Sequence, residues 1–295
     1  MQIANPIYDV VFKYMMEDND VAKLLISKIM DEEIIKLDFL PQENVVNIDF
    51  GIPDLKKRKR SKTGGRYLTV YRLDFKAEIK TPVGSKIVLI EVQKAKFSTD
   101  ILRFRKYLGE QYADPKNKTI PIVSIYFLAY GLNHTTSPVI KVEREYIDVT
   151  TGEKIKEKEE FIESLTHDSF VIQIKYLKKE HKSDLEKLLS VFDQADKSEN
   201  AHILSISEDE YPKEFNILLK RLQKAVLDND LRKKMDVEDQ IIEELNNLER
   251  TIEEQEEIIE ESRRTIEDNK KSLEEKDKAL EEKDRLIEEL MKKIK

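Results

Sequence analysis

Leu245, Ile252, Ile259, Ile266, Leu273, Leu280, Ile287 and Ile294 recur every seven residues without a miss. No Gly or Pro occurs from Lys213 to Lys295, so nothing there interrupts a helix. A heptad repeat sustained this far restricts the end of the chain to a coiled-coil helix with one apolar seam. With those residues at a, the d positions read Ile241, Leu248, Gln255, Ser262, Asn269, Lys276, Lys283 and Leu290. Five successive polar d residues weaken that seam. The expected product is a homodimer through 241–295, frayed in its middle. A single solvated helix held by charge pairs is the alternative.

The tail also explains the charge. The 295-residue chain carries a net charge of −8, but residues 241–295 hold 19 acidic and 12 basic side chains. Residues 1–240 are therefore near neutral, with 41 acidic and 40 basic. Within them lies one concentrated basic run, "KKRKRSK", Lys56 to Lys62. The overall acidity thus says little against a nucleic-acid partner. The absence of cysteine removes disulfides, thiol catalysis and Cys-type zinc sites. The opening residues lack the pattern of a signal peptide, and no apolar run reaches the length of a membrane span. A cytoplasmic protein with no membrane partner is expected.

The body reads as mixed α/β. Residues 6–30 have helical apolar spacing with a break near Glu17 to Asp20, and a basic loop covers 51–66. "RYLTVYRLDFKAEIK" and "SKIVLIEVQKAK" read as strands joined by "TPVG", a Pro-then-Gly turn. "STDILRFRKYLGEQYADP" is a helix with an N-cap hydroxyl and a proline stop. "TIPIVSIYFLAY" is a buried strand, "REYIDVTTGEKI" a hairpin and "SFVIQIKYL" a strand. "SDLEKLLSVFDQAD" is a capped helix, and "YPKEFNILLKRLQKAVLDNDLRKKM" is helical and leads into the coil. Three regions are expected: a core over 1–140, an α/β extension over 141–235 and the coil over 236–295.

One strand poses a chemical question. Its apolar run Ile87 to Ile90 is followed by Glu91, although a buried carboxylate is costly unless bonded, paired or bound to metal. Arg72, Asp74, Lys76 and Glu78 share one face of the preceding strand. The short turn should set Asp74 opposite Glu91 to within about one residue. Two facing carboxylates repel, and one would take up a proton. A hard divalent cation resolves the conflict, since Mg2+ prefers one or two carboxylates plus waters and phosphate oxygens. An ordinary solvent-edge pair on a half-exposed hairpin is the plainer reading.

An Asp, then a strand ending in Glu-x-(Lys or Gln), then a helix, resembles the core of the PD-(D/E)xK nuclease superfamily. The ordered set resembles its transposase-related branch, the Rpn-type recombination-promoting nucleases, over about 1–240. "NPIYDVVFKYMM" resembles that branch's opening helix, through Asp9, Phe12 and Lys13. "RLDFKAEI" supplies Asp74, "IVLIEVQ" supplies Glu91 and Gln93, and "RFRKYLGEQY" matches an Arg-x-x-x-Tyr helix through Arg103, Tyr107 and Tyr112. The resemblance implies a restriction-endonuclease-like core (helix, mixed sheet, helix, strand) with a C-terminal helical extension and the long coil. It also implies a Mg2+-dependent DNA endonuclease, Mn2+ substituting, linked to recombination or transposition-like events. Asp74, Glu91 and the Val92 carbonyl would hold the metal, and Gln93 would position the attacking water. Gln93 stands where most of the superfamily has Lys, so the expected cation would come from Lys76 or Lys94. Arg103 and Tyr107 would clamp DNA or face the site, and Asp9 would add a carboxylate from the first helix.

Plainer roles stand beside these. Lys76 and Lys94 are equally surface lysines, Asp9 a first-turn helix acid, and Arg103 with Tyr107 a packing pair. Lys57, Arg58 and Arg60 belong to a loop suited to phosphate contacts, or to a merely solvated one. His134, His167, His181 and His202 lack ligand spacing, and no phosphate-binding glycine loop appears. The alternative function is a nuclease-fold scaffold without turnover that assembles through its coil and binds nucleic acid or protein.

Overall fold

The computed structural model describes residues 1–47, 67–82, 84–95, 101–117, 119–177, 183–198 and 200–294. Contacts divide the chain into two units, Met1–Glu238 and Asp239–Lys295. The basic run with Lys57, Arg58 and Arg60 lies outside the described residues, as does the side chain of Arg103.

The first unit opens with strand β1 (Gln2–Ala4) and helices α1 (Asp9–Met16) and α2 (Asn19–Met30). The expected break separates the helices: the Asp18 carboxylate accepts the Val21 amide at 3.3 Å and restarts the helix. Both helices bury an apolar stripe, Val11, Phe12, Met15 and Met16 on α1 and Val21, Leu25, Ile26 and Ile29 on α2.

A long strand, β2 (Ile34–Asn47), follows and has no counterpart in the sequence expectation. Its Pro41 and scattered polar residues hide it. Such a strand is tolerated because β2 is an edge, where a missing N–H costs no ladder bond. β3 (Tyr67–Thr81) and β4 (Gly84–Ala95) form the hairpin implied by the turn, and α3 (Ile101–Ala113) then crosses over to β5 (Ile122–Leu128). Four short elements come next: β6 (Val139–Val142), β7 (Tyr146–Ile147), β8 (Lys154–Ile155) and α4 (Glu160–Leu165). After them run β9 (His167–Gln173), α5 (Asp184–Leu189), β10 (Ile203–Ser205), α6 (Asn216–Val226) and α7 (Asn229–Ile294). Ser183 and Glu186 close a capping box on α5.

The main sheet has the order β2-β3-β4-β5-β9-β6. β4, β5 and β9 run parallel, and the other pairs are antiparallel. The two faces differ. Leu73, Phe75, Ala77, Ile79, Val88, Ile90 and Val92 join α1, α2, α5 and α6 in the large core. On the other face Phe104 of α3 packs with Ala95 and Leu128 in a smaller cluster.

The structure does not separate 141–235 from 1–140. β9 fills the edge of β5, and its Phe170 and Ile172 enter the same core as the first helices. β10 pairs with β1, so the start of the chain is closed by residues two hundred positions later. The second unit is helical through Ile294, with ion pairs such as Lys271–Glu267 at 3.3 Å one turn apart. Among the described residues no helix is long and apolar enough to cross a membrane.

Candidate active site

Strand alternation sends Leu89, Glu91, Gln93 and Ala95 to the α3 side of β4. On β3 the same side carries Asp74 and Lys76. The observed register sets Asp74 directly opposite Glu91, and Glu91 opposite Ser124 of β5. Asp74 and Glu91 are both fully buried, and Gln93 nearly so. Directly paired residues across an antiparallel ladder hold their Cβ atoms about 5 Å apart, so two carboxylates share one small buried volume.

Each carboxylate has an amide partner. Gln93 Nε2 donates to Glu91 Oε1 at 2.5 Å. Gln111 Nε2 donates to Asp74 Oδ2 at 2.8 Å from the α3 face, and Gln111 is itself 4% exposed. Gln111 was not among the expected site residues. It lies one turn beyond Tyr107, so the helical spacing Phe104, Tyr107, Gln111 is the sequence signal that marks it as inward-facing. Tyr107 is buried on the same stripe.

Two tyrosines complete the polar surface. Burial pushes the Tyr112 hydroxyl up to about 12; Tyr126 and the Glu91 charge add to the rise, and the Arg144 guanidinium opposes it. Tyr126 is also pushed up, by burial first and by the Glu91 charge, while the nearby Ser124 hydroxyl opposes. Both stay neutral donors at physiological pH, beside a carboxylate they cannot displace. Tyr112 Oη lies 2.9 Å from His167 Nδ1.

His167 gives a pH prediction. Burial holds it below the usual histidine range, Arg144 adds to the depression and Asp168 opposes it. The folded state therefore favours the neutral ring. Its contribution to stability is complete above the unfolded value of about 6.5 and is lost as pH falls through the lower folded value. The wild-type melting temperature should drop between pH 7.5 and 5.5 by more than that of His167→Gln. Equal drops would remove His167 from the account.

Lys94 and Asp9 do not reach the carboxylate pair. Lys94 faces the α1 side of β4, one residue out of phase with Gln93, and is 7% exposed. Its Nζ meets Asp9 Oδ1 at 2.8 Å, donates to the Ile7 carbonyl and stands 5.6 Å from the Phe12 ring centre. The two residues form a structural pair on the opposite face of the sheet. Lys76 keeps the Asp74 side and is partly exposed. Val92 sits in an interior strand, opposite Leu73 and Ile125. No family model, curated protein or solved structure matches the chain.

The donor set is hard and oxygen-rich. Among the described residues no three His, Asp or Glu side chains gather into a metal-binding group. The pair is therefore two carboxylates supplemented by carboxamides. Gln93 Oε1 is buried with no hydrogen-bond partner among the described residues, a costly state unless something binds it. Two carboxylate groups suit Mg2+, which completes its shell with water or phosphate oxygens, and the amide oxygen beside them suits a hydrogen bond from such a water.

Proposed function

We propose that the chain is a Mg2+-dependent endonuclease that hydrolyses phosphodiester bonds of DNA, built on a restriction-endonuclease-like α/β core. The register that places Asp74 opposite Glu91, with Gln93 on the same face, carries this reading. Asp74 and Glu91 would hold the ion, with Mn2+ able to substitute and the Val92 carbonyl contributing a second lone pair. When bound, Mg2+ lowers the pKa of a coordinated water and offsets charge at the scissile phosphate. Gln93 orients water through its carboxamide but brings no charge. Gln111 holds one oxygen of Asp74 from α3 and so fixes the orientation of the carboxylate. Tyr112 and Tyr126 remain protonated and offer hydrogen bonds without competing for a cation. Lys76 is the lysine on the correct face to supply positive charge near Asp74. Lys57, Arg58 and Arg60 suit sequence-independent phosphate contacts, as does Arg103, whereas Tyr107 is buried on the inward stripe of the helix that covers the site and would face the site rather than DNA. The heptad tail would make the enzyme a homodimer. A role in recombination or transposition-like events rests on the resemblance to Rpn-type nucleases.

The complete burial of Asp74 and Glu91 favours a second reading. A scaffold that kept this fold without turnover would have no need to open the α3 face. Plasmid nicking and calorimetric titration separate the two. Purified chain should bind Mg2+ and Mn2+ and relax supercoiled plasmid. Asp74→Asn and Glu91→Gln should each slow nicking by roughly 100-fold and weaken ion binding. Wild-type protein that binds neither ion and leaves the plasmid supercoiled would establish the scaffold reading instead.

A further inference from the structure

The Asp239–Lys295 unit carries a seam whose polarity chooses between the ways a second copy can pair with it. Its a residues Ile259, Ile266, Leu273, Leu280 and Ile287 are each more than half exposed. The d residues between them are Gln255, Ser262, Asn269, Lys276 and Lys283. On the outer face Arg264–Glu260 and Lys271–Glu267 pair within the helix at 3.6 and 3.3 Å. We propose that α7 pairs with a second copy of this chain in the antiparallel sense, in the register that sets Ile266 against the partner's Lys276.

Parallel pairing in register stacks each position on its own copy. Lys276 would meet the partner's Lys276 and Lys283 the partner's Lys283, two like-charge layers in the seam. Antiparallel pairing instead sets every a against a d. Ile259 then meets the partner's Lys283, Ile266 the partner's Lys276 and Leu273 the partner's Asn269. Leu280 meets the partner's Ser262, and Ile287 the partner's Gln255. Each polar d residue gains an apolar neighbour, and the lysine stems lie along isoleucine while their heads reach water.

The flanks agree with this register. In a parallel coil e residues meet g residues, which here would pair Thr265 with the partner's Lys270 and Ala279 with the partner's Asp284. Neither is an ion pair. In the antiparallel coil e meets e and g meets g. Helical side chains lean toward their own N-terminus, so residues from opposed helices converge. Arg263 then faces the partner's Asp284, and Lys270 faces the partner's Asp277. On the g side Ile258 faces the partner's Leu286, two side chains 62% and 55% exposed in the single chain. A slip of one heptad in one direction sets Asp277 against the partner's Asp277. The opposite slip sets Lys270 against the partner's Lys270. Charge thus selects one register of the antiparallel pair.

The chain has no cysteine, so introduced thiols report without background. In the full-length protein under mild oxidation, the double variant Ile266→Cys with Lys276→Cys should form covalent dimers, and either single variant should not. Covalent dimers from the single variants would establish a parallel coil and overturn the proposal. No crosslinking from a chain that sediments as a dimer would overturn the register, and a monomer at all concentrations would overturn the pairing. Charge gives an independent arm. Asp277→Lys with Asp284→Lys should weaken self-association by roughly tenfold or more. Mixing that variant with Arg263→Asp plus Lys270→Asp should restore dimers, and failure of the mixture to pair would also sink the idea. None of these results depends on ion binding at Glu91.

Discussion

Phe127→Ala is expected to destabilise the first unit by about 3–5 kcal/mol, read as a lowered urea midpoint with an unchanged slope. Phe127 is fully buried on the core face of β5. Its ring lies 5.1 Å from Phe12 of α1 and 5.1 Å from Phe192, and those two are 6.0 Å from one another. The three rings come from the start, the middle and the later part of the unit. Truncation therefore leaves a cavity where three segments meet, and none of them can collapse without moving its own element. The tilted and edge-on ring geometries add to the area term, by about 0.5–1.5 kcal/mol for a favourable pair. Phe127→Leu keeps most of the volume and should cost clearly less. Equal losses for both variants would mean that ring geometry, rather than volume, holds the three segments together.

The site and the core differ in how far they are legible in the residues. Asp74 and Glu91 are legible because a short turn fixes register locally, and alternation then assigns both to one face. The same alternation already puts Lys94 on the other face from Gln93, so its separation from the carboxylates follows from spacing once the strand is placed. Gln111 is less legible, since its role depends on α3 folding back over a strand 37 positions earlier. β2 is hidden because Pro41 and its polar neighbours lack the alternation of a half-buried strand, and only its edge position makes them acceptable. The joining of 141–235 to the core is invisible locally. A parallel strand such as β9 can be placed only by the strand it finds in space, and nothing in "SFVIQIKYL" names that neighbour. The coil shows the reverse case. Its heptads are plain in the sequence, and the polar d residues that interrupt them are what the proposed antiparallel direction rests on.

Lys94→Met should also cost about 3–5 kcal/mol, the range for removing one partner of a buried ion pair. The lower end is expected because the Asp9 side chain is 22% exposed and the Lys94 side chain only 3%. The variant keeps the length and the apolar stem over Phe12, so the loss reports the ammonium group. That group holds the Asp9 carboxylate and the Ile7 carbonyl together at the start of α1. Glu238 accepts the Asp9 amide with both oxygens, at 2.8 and 3.0 Å, and so braces the same turn from the other side. Pairing the change with Asp9→Asn should recover part of the loss, because the remaining partner no longer carries a charge. Ion affinity at Asp74 and Glu91 should stay within about twofold in Lys94→Met under conditions where it remains folded, since the pair lies across the sheet from them. A Lys94→Met protein that folds normally but no longer binds Mg2+ would instead make Lys94 part of the site, acting through Gln93 beside it.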